Sequence, residues 1–301
     1  MRHTVICHKE GPFVKELDAA GVPVVVLSLS PWRKFPSVLS RYRDLENLVR
    51  FAEQQNVDVV HSSDLWMNEY LIRVAGRLSI PSVLHVRKPV TPAEIRKHSF
   101  CKASVIVAIS QRVERNLIAA GIAPEQVSLI EDAVDLDVFR PNNEPTNVLR
   151  RDFASGAKVH IGIVGCIKQS KHQLEFLQTA VKVKRDSSKS VAFFIIGDDY
   201  SHGYFADLKR FVIENGLDDH VFFTGRRDDM PETLGSLDIL VSLSGGSVMF
   251  EAMACGKCVV SAGFTSKKDS VHIQDGRTGV LLYLIQAWFV NMCHDMVDKK
   301  A

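Results

Sequence analysis

The stretch Asp238-Ile-Leu-Val-Ser242-Leu-Ser-Gly-Gly-Ser247-Val-Met-Phe-Glu251-Ala-Met-Ala-Cys-Gly256 decides the architecture. A short apolar run gives way to serine and glycine, then to a run of helical composition, which reads as strand, turn and helix. Glycine at the junction lets a ligand approach the backbone where a helix begins and its N–H groups point outward, an arrangement suited to phosphate. One carboxylate, Glu251, interrupts the apolar helical run, and a carboxylate in such surroundings needs a partner. A diphosphate at the turn followed by a hydroxylated ring would supply one, because a carboxylate accepts from two adjacent hydroxyls. A nucleotide-sugar has that shape.

The same alternation extends in both directions. Apolar runs over Val22–Leu29, Val57–His61, Ser82–Val86 and Ser104–Ile109 alternate with helical segments near Arg41–Gln55 and Asn68–Leu78. A second series runs through His160–Val164, Ala192–Gly197, Val221–Thr224, Ile239–Ser242 and Val259–Ala262, with helices over Gln173–Lys184 and Tyr204–Asn215. Strands that are continuously apolar belong to parallel sheets covered on both faces. The polar, proline-containing stretch Asn142–Thr146 reads as a linker. The chain is thus expected to be α/β, with doubly wound parallel-sheet domains over 1–141 and 147–279 and an apolar tail over 280–301. Its strongly apolar run, Val280 to Val290, falls short of the ~20 residues needed to span a bilayer. Ligands of such sheets lie at the carboxyl ends of the strands, here expected in a cleft between the two halves.

Composition narrows the function. With 301 residues, 46% of them hydrophobic, the chain has enough apolar material for two cores. The balance of 37 basic and 35 acidic residues removes any bulk-charge argument for nucleic acid. Six scattered cysteines lack the density of a disulfide framework, and Cys255-Gly-Lys-Cys258 lacks the second ligand pair of a zinc site. Met1–Cys7 reads as a strand and not as a secretory signal. These features point to a cytoplasmic protein, with peripheral membrane contact left open. The segment Trp32-Arg33-Lys34-Phe35, with Arg41, Tyr42 and Arg43, reads as a solvated helix end, an anionic-acceptor site or a membrane contact being the alternatives.

Candidate site residues are those just after strands. In the second half these are Gly165 with Lys168 and Lys171, Gly197, Arg226, and Gly246, Ser247 and Glu251. Lysine neutralises a diphosphate as a point charge, and arginine stacks on a base or reaches phosphate. The acids of Gly197-Asp198-Asp199 read as turn residues. In the first half, His61 and His85 end strands, as either acid/base groups or structural residues; Ser110 and Asp132 carry the same dual reading. Asp135 reads as a turn or cap residue.

With these residues placed, the chain resembles the GT-B glycosyltransferases of the family 4 type. The resemblance runs from about residue 14 to Gly279 and is carried by Val105–Ser110 with Gln111–Gly121, Ile130–Phe139, Gly165 through Lys171, Val221–Asp229, Asp238–Ser244, Glu251–Gly256 and Asp275-Gly-Arg-Thr-Gly279. It implies two Rossmann-like domains facing a cleft. It also implies transfer of a sugar, with retained anomeric configuration, from a nucleoside-diphosphate sugar to a glycan, lipid-linked or small-molecule acceptor, without a metal ion or other cofactor. By the same resemblance Lys171 contacts the donor diphosphate, Glu251 holds the donor ribose, and His85 lines the cleft near the transferred sugar. His85 and Lys171 are the catalytic candidates.

The chain departs from the family in four places. Cys166 stands where an arginine pairs with the lysine, leaving Lys168 to compensate, and Ser244-Gly-Gly-Ser247 replaces the first of two glutamates. The family's opening strand, glycine-rich turn and helix are not matched, so Thr4–Cys7 reads as its following strand. The tail over 280–301 is atypical. A catalytically silent binding or scaffold protein, or a nucleotide-sugar epimerase, are the alternative functions.

Overall fold

The computed structural model describes residues 2–34, 38–141, 147–153, 155–244, 246–262 and 280–282. Phe35, the linker stretch Asn142–Thr146, Gly245, Asp275–Gly279 and most of the apolar tail lie outside the described residues. The chain divides into two compact units, Met1–Asp132 and Ala133–Ala301. The division falls earlier than the sequence placed it. Residues 133–141 go with the second unit because Phe139 packs on its core and Pro141 lies 3.5 Å from where a Cβ on Gly256 would stand.

The first unit contains β1 (Val5–Cys7), α1 (Pro12–Ala19), β2 (Val24–Val26), α2 (Val38–Gln54), β3 (Val60–Ser62), α3 (Asn68–Leu78), β4 (Ser82–Val86), α4 (Pro92–Lys97), β5 (Val105–Ala108), α5 (Gln111–Ala119) and β6 (Val127–Leu129). Its strands are parallel but form two sheets, β1-β2 and β3-β4-β5-β6. The long strand read over Val22–Leu29 shortens to Val24–Val26, because β1 offers it only three residues to pair with. Leu84, Val86, Ile106 and Ala108 pack with Val113 and Leu117 of α5, while Leu45 and Val49 of α2 pack with Tyr70 and Val74 of α3.

Trp32 corrects one expectation. It is 8% exposed and sits edge-on to Tyr42 and Tyr70, with the Arg41 and Arg73 guanidinium groups 5.2 and 4.5 Å from its ring centroid. Arg33 pairs with Glu69 at 2.6 Å. Trp32 is therefore the centre of an internal cluster in which Arg41 and Arg73 find an aromatic face and Arg33 a carboxylate, while Tyr42 and Arg43 stay exposed.

The second unit contains α6 (Val148–Asp152), β7 (Val159–Val164), α7 (Gln173–Asp186), β8 (Val191–Ile196), α8 (His202–Glu214), β9 (Val221–Gly225), α9 (Met230–Gly235), β10 (Ile239–Ser242), α10 (Val248–Ala254), β11 (Cys258–Ala262) and β12 (Val280–Leu282). Its strands form one parallel sheet in the order β12-β11-β10-β7-β8-β9. Alternate residues feed opposite faces, as the two-residue period of a strand requires. Ile161, Phe193, Ile195 and Val241 meet Phe176 of α7 and Leu208 of α8, while Ala192, Phe194, Ile196 and Leu240 meet Leu234 of α9 and Ala252 of α10. Sequence order reverses between β7 and β10, which makes the carboxyl ends of those two strands the switch point where such sheets bind ligands.

Candidate active site

The turn after β7 is built around two glycines. Gly165 has φ 144° and Gly197, after β8, has φ 145°. A Cβ on Gly197 would stand 2.2 Å from the Gly165 carbonyl oxygen, so only glycine lets the two turns touch. They are tied by backbone bonds, Gly165 N–H to Ile196 O at 2.9 Å and Ile167 N–H to Asp198 O at 2.8 Å. The chain then makes the single turn Gln169–Lys171, with His172 left-handed at φ 61° before α7. Lys171 folds back over Gly165, its Cδ and Cε 3.4 Å from the position of the absent Cβ. Lys168 is aimed at the neighbouring turn, its Nζ 5.5 Å from the ring centroid of Tyr200.

Cys166 carries no charge to this turn, but its carbonyl accepts from Gln173 Nε2 at 3.1 Å. Gln173 is 1% exposed and its Oε1 has no hydrogen-bond partner among the described residues. The acids after Gly197 are turn residues: Asp198 accepts from the Arg226 N–H at 3.2 Å, and Asp199 from the Ser201 N–H at 2.9 Å.

After β9, Arg226 is exposed and its Nε bonds Asp228 at 3.0 Å. The adjacent Arg227 turns inward, which sequence reasoning missed. It bonds both oxygens of Asp229, at 2.7 and 2.5 Å, and Asp152 at 2.7 Å. Asp229 is the first residue ahead of α9 and Asp152 the last of α6, so Arg227 clasps two helix ends. Its guanidinium holds both carboxyls below their usual range. An Arg-Arg doublet alone does not show which member faces in.

After β10, Gly246 takes φ 136°, and among the described residues nothing lies within 4 Å of its Cβ position in front of α10. Ser247 precedes α10 but makes no side-chain cap; its hydroxyl serves Glu251 instead. Glu251 is half-buried. Burial pushes its carboxyl above the ordinary value, and the Ser247 hydrogen bond offsets this in part. Thus Gly165, Lys168, Lys171, Gly197, Arg226, Gly246, Ser247 and Glu251 all lie at the carboxyl ends of four adjacent strands, β10-β7-β8-β9. Tyr200, 77% exposed beside Lys168, joins them without having been marked by any motif.

In the first unit His61 and His85 come from adjacent strands, with ring centroids 5.9 Å apart. Burial lowers the pKa of both; His85 is lowered further by His61 and Arg87, with Asp132 acting in the opposite direction. The His85 Nε2 is buried without a hydrogen-bond partner among the described residues. Ser110 caps α5 through the Val113 N–H, Asp132 lies 3.8 Å from Arg87, and Asp135 accepts from the Asp137 N–H at 2.9 Å as a turn residue.

Two family models match the chain. One describes the glycosyl transferase 4-like domain and covers residues 1–132; the other describes glycosyl transferases group 1 and covers residues 158–293. The lipopolysaccharide core biosynthesis mannosyltransferase LpsB of Rhizobium meliloti is 23% identical over 273 residues, 88% of this chain and 75% of that enzyme. Among solved structures, Anabaena HepE in complex with UDP and glucose aligns with a TM-score of 0.81 at 21% identity, over 96% of this chain and 81% of HepE. A glycosyltransferase from Rickettsia africae aligns with a TM-score of 0.81 at 18% identity, over 99% and 82%. These structural likenesses show the fold, and the family models favour sugar transfer over a silent scaffold or an epimerase. The chain belongs to the glycosyltransferases of the GT-B fold and family 4 type, and is an enzyme of glycosyl transfer.

Proposed function

We propose that the enzyme transfers a sugar from a nucleoside-diphosphate sugar to a saccharide or lipid-linked acceptor with retention of anomeric configuration. The observation that carries this reading is the pairing of Lys171, folded over Gly165 at the central strand, with Glu251 on the helix after the neighbouring strand. Lys168 and Lys171 neutralise the diphosphate and the charge that grows on it as the glycosidic bond breaks. In this reading they supply the positive charge that a divalent cation provides elsewhere, and no metal is required. Glu251 accepts from the ribose hydroxyls, Gly246 and Ser247 leave room for that approach, and Gly197 and Arg226 border the base. UDP is the nucleotide bound by HepE, and a uridine diphosphate donor is the first to test here.

In this reading unit 2 is the donor half and unit 1 the acceptor half, with His85 its candidate catalytic group. Its lowered pKa keeps the imidazole neutral near neutral pH, so that it can accept a hydrogen bond or a proton from a hydroxyl. Calorimetric titration of the full chain with UDP, GDP and ADP tests the donor half. One nucleotide should bind, unaffected by EDTA. Failure of all three to bind would remove the reading.

A further inference from the structure

The first unit carries a built feature that the donor reading leaves unused. After β3 the Asp64 carboxylate accepts from the Trp66 N–H at 2.9 Å and starts the single turn Leu65–Met67. Leu65 is buried and anchors that turn, while Trp66 beside it is 60% exposed. From the side of α4, His98 meets the indole edge-on at 5.2 Å and Lys97 Nζ stands 5.5 Å from its centroid. Between this turn and the end of β4 lies a pocket of about 230 Å³ lined by Ser63, Asp64, Leu65, Trp66, Arg87 and Lys88. It opens at the carboxyl ends of the same two strands that carry His61 and His85.

The charges around it are unevenly engaged. Asp64 is occupied by a backbone N–H, and Glu94 by the N–H and hydroxyl of Thr91 in the capping box of α4. Arg87 reaches Asp132 only at 3.8 Å, and Lys88 and Lys97 make no ion pair among the described residues. Asp64 keeps its charge while its carboxylate is turned to the Trp66 N–H, so the lining sets two cations, Arg87 and Lys88, against one carboxylate beside an apolar ring.

We propose that this pocket receives an anionic saccharide, a sugar ring carrying a phosphate or carboxylate, as the acceptor. The assignment rests on the glycosyl-transfer reading above. The volume is below the roughly 300–1,000 Å³ of pockets that enclose drug-sized ligands, which suits one ring at the end of a longer acceptor. The ring lies against Trp66, whose indole offers a large rigid apolar surface. Arg87 takes the anionic group in its planar fork and Lys88 adds a point charge. Ser63 supplies a hydroxyl for the sugar's own.

The test uses the full chain and begins with UDP, GDP and ADP binding, and the absence of all three counts against the donor reading alone. With whichever nucleotide binds at saturation, so that the lysines of the second unit are occupied, the chain is titrated with mannose 6-phosphate, glucuronic acid, neutral mannose and inorganic phosphate. Calorimetry and tryptophan fluorescence follow the binding. One anionic sugar should bind at least about tenfold more tightly than mannose, a difference of about 1.4 kcal/mol. The phosphate and uronate arms identify which anion is preferred. That preference should collapse in the Arg87→Ala/Lys88→Ala variant, and the fluorescence change should vanish in Trp66→Phe, with nucleotide affinity and melting temperature unchanged in both. Equal affinity for mannose and both anionic sugars, a preference that survives Arg87→Ala/Lys88→Ala, or inorganic phosphate binding as tightly as the sugar phosphate would each overturn the proposal.

Discussion

Glu251 is half-buried, bonded by Ser247, and displaced upward in pKa by its burial. In the ionised form it is a pure acceptor, which is what a ribose diol needs. Replacing it with alanine removes charge-assisted hydrogen bonds worth about 1.5–3 kcal/mol, so nucleotide affinity should fall about tenfold or more in a calorimetric titration. Acid should have a related effect. Because the folded pKa lies above 4.5, the acceptor is protonated earlier on acidification than an ordinary glutamate, and affinity should begin to fall at a correspondingly higher pH. Glu251→Gln should flatten that limb of the titration. His85 has the opposite displacement. Its pKa lies below 6.5, so the neutral imidazole persists down to that pH, and kcat/KM should fall only at lower pH as the ring gains its proton. The pH profile of His85→Asn should lack that acid limb.

At the scale of elements, the site depends on two turns that touch through Gly165 and Gly197. Gly197→Ala forces a left-handed backbone on alanine and drives its methyl into the Gly165 carbonyl. Strain and overpacking of about 1–3 kcal/mol each should make it one of the more damaging single substitutions in the second unit, measured by urea unfolding. It should also weaken nucleotide binding, since Lys171 lies on Gly165. The strands of the two units differ in exposure: β1 and β2 of the first are only partly buried along their length, whereas β7 and β8 of the second are buried almost throughout. Amide exchange should therefore be fast in β1 and β2 and slow in β7 and β8. The same contrast explains what sequence could and could not show. Val159–Val164 and Val191–Ile196 are continuous apolar runs, and their ends carry the glycines and lysines that the strand-end rule picks out. Helix α1 buries only Val14, so no periodic stripe announces it. Trp66 belongs to no motif, and its exposure follows from the Asp64 turn that the sequence alone does not display. Trp32, set among basic residues, is buried by tertiary contacts, while Trp66, beside the buried Leu65, is exposed.

At the scale of the whole molecule, the two units have separate cores, and the groups assigned to the donor all belong to Ala133–Ala301. A nucleotide present at 100 times its dissociation constant stabilises the form that binds it by about 2.7 kcal/mol. Hydrogen exchange followed by mass spectrometry should show that protection mainly in β7, β8, β10 and α10, with smaller changes in the first unit. Protection centred on the first unit would place the nucleotide elsewhere. The account's central claim is chemical: a nucleoside-diphosphate sugar is consumed and its anomeric configuration is kept. The direct measurement is proton NMR of the purified chain with an α-linked nucleotide-sugar, reading the anomeric signal of the first product before mutarotation, with an acceptor or with water in its place. An α product formed together with free nucleoside diphosphate, and formed more slowly at limiting donor in Glu251→Ala, is the predicted result. A β product, or intact donor with every nucleotide-sugar and acceptor supplied, would contradict it.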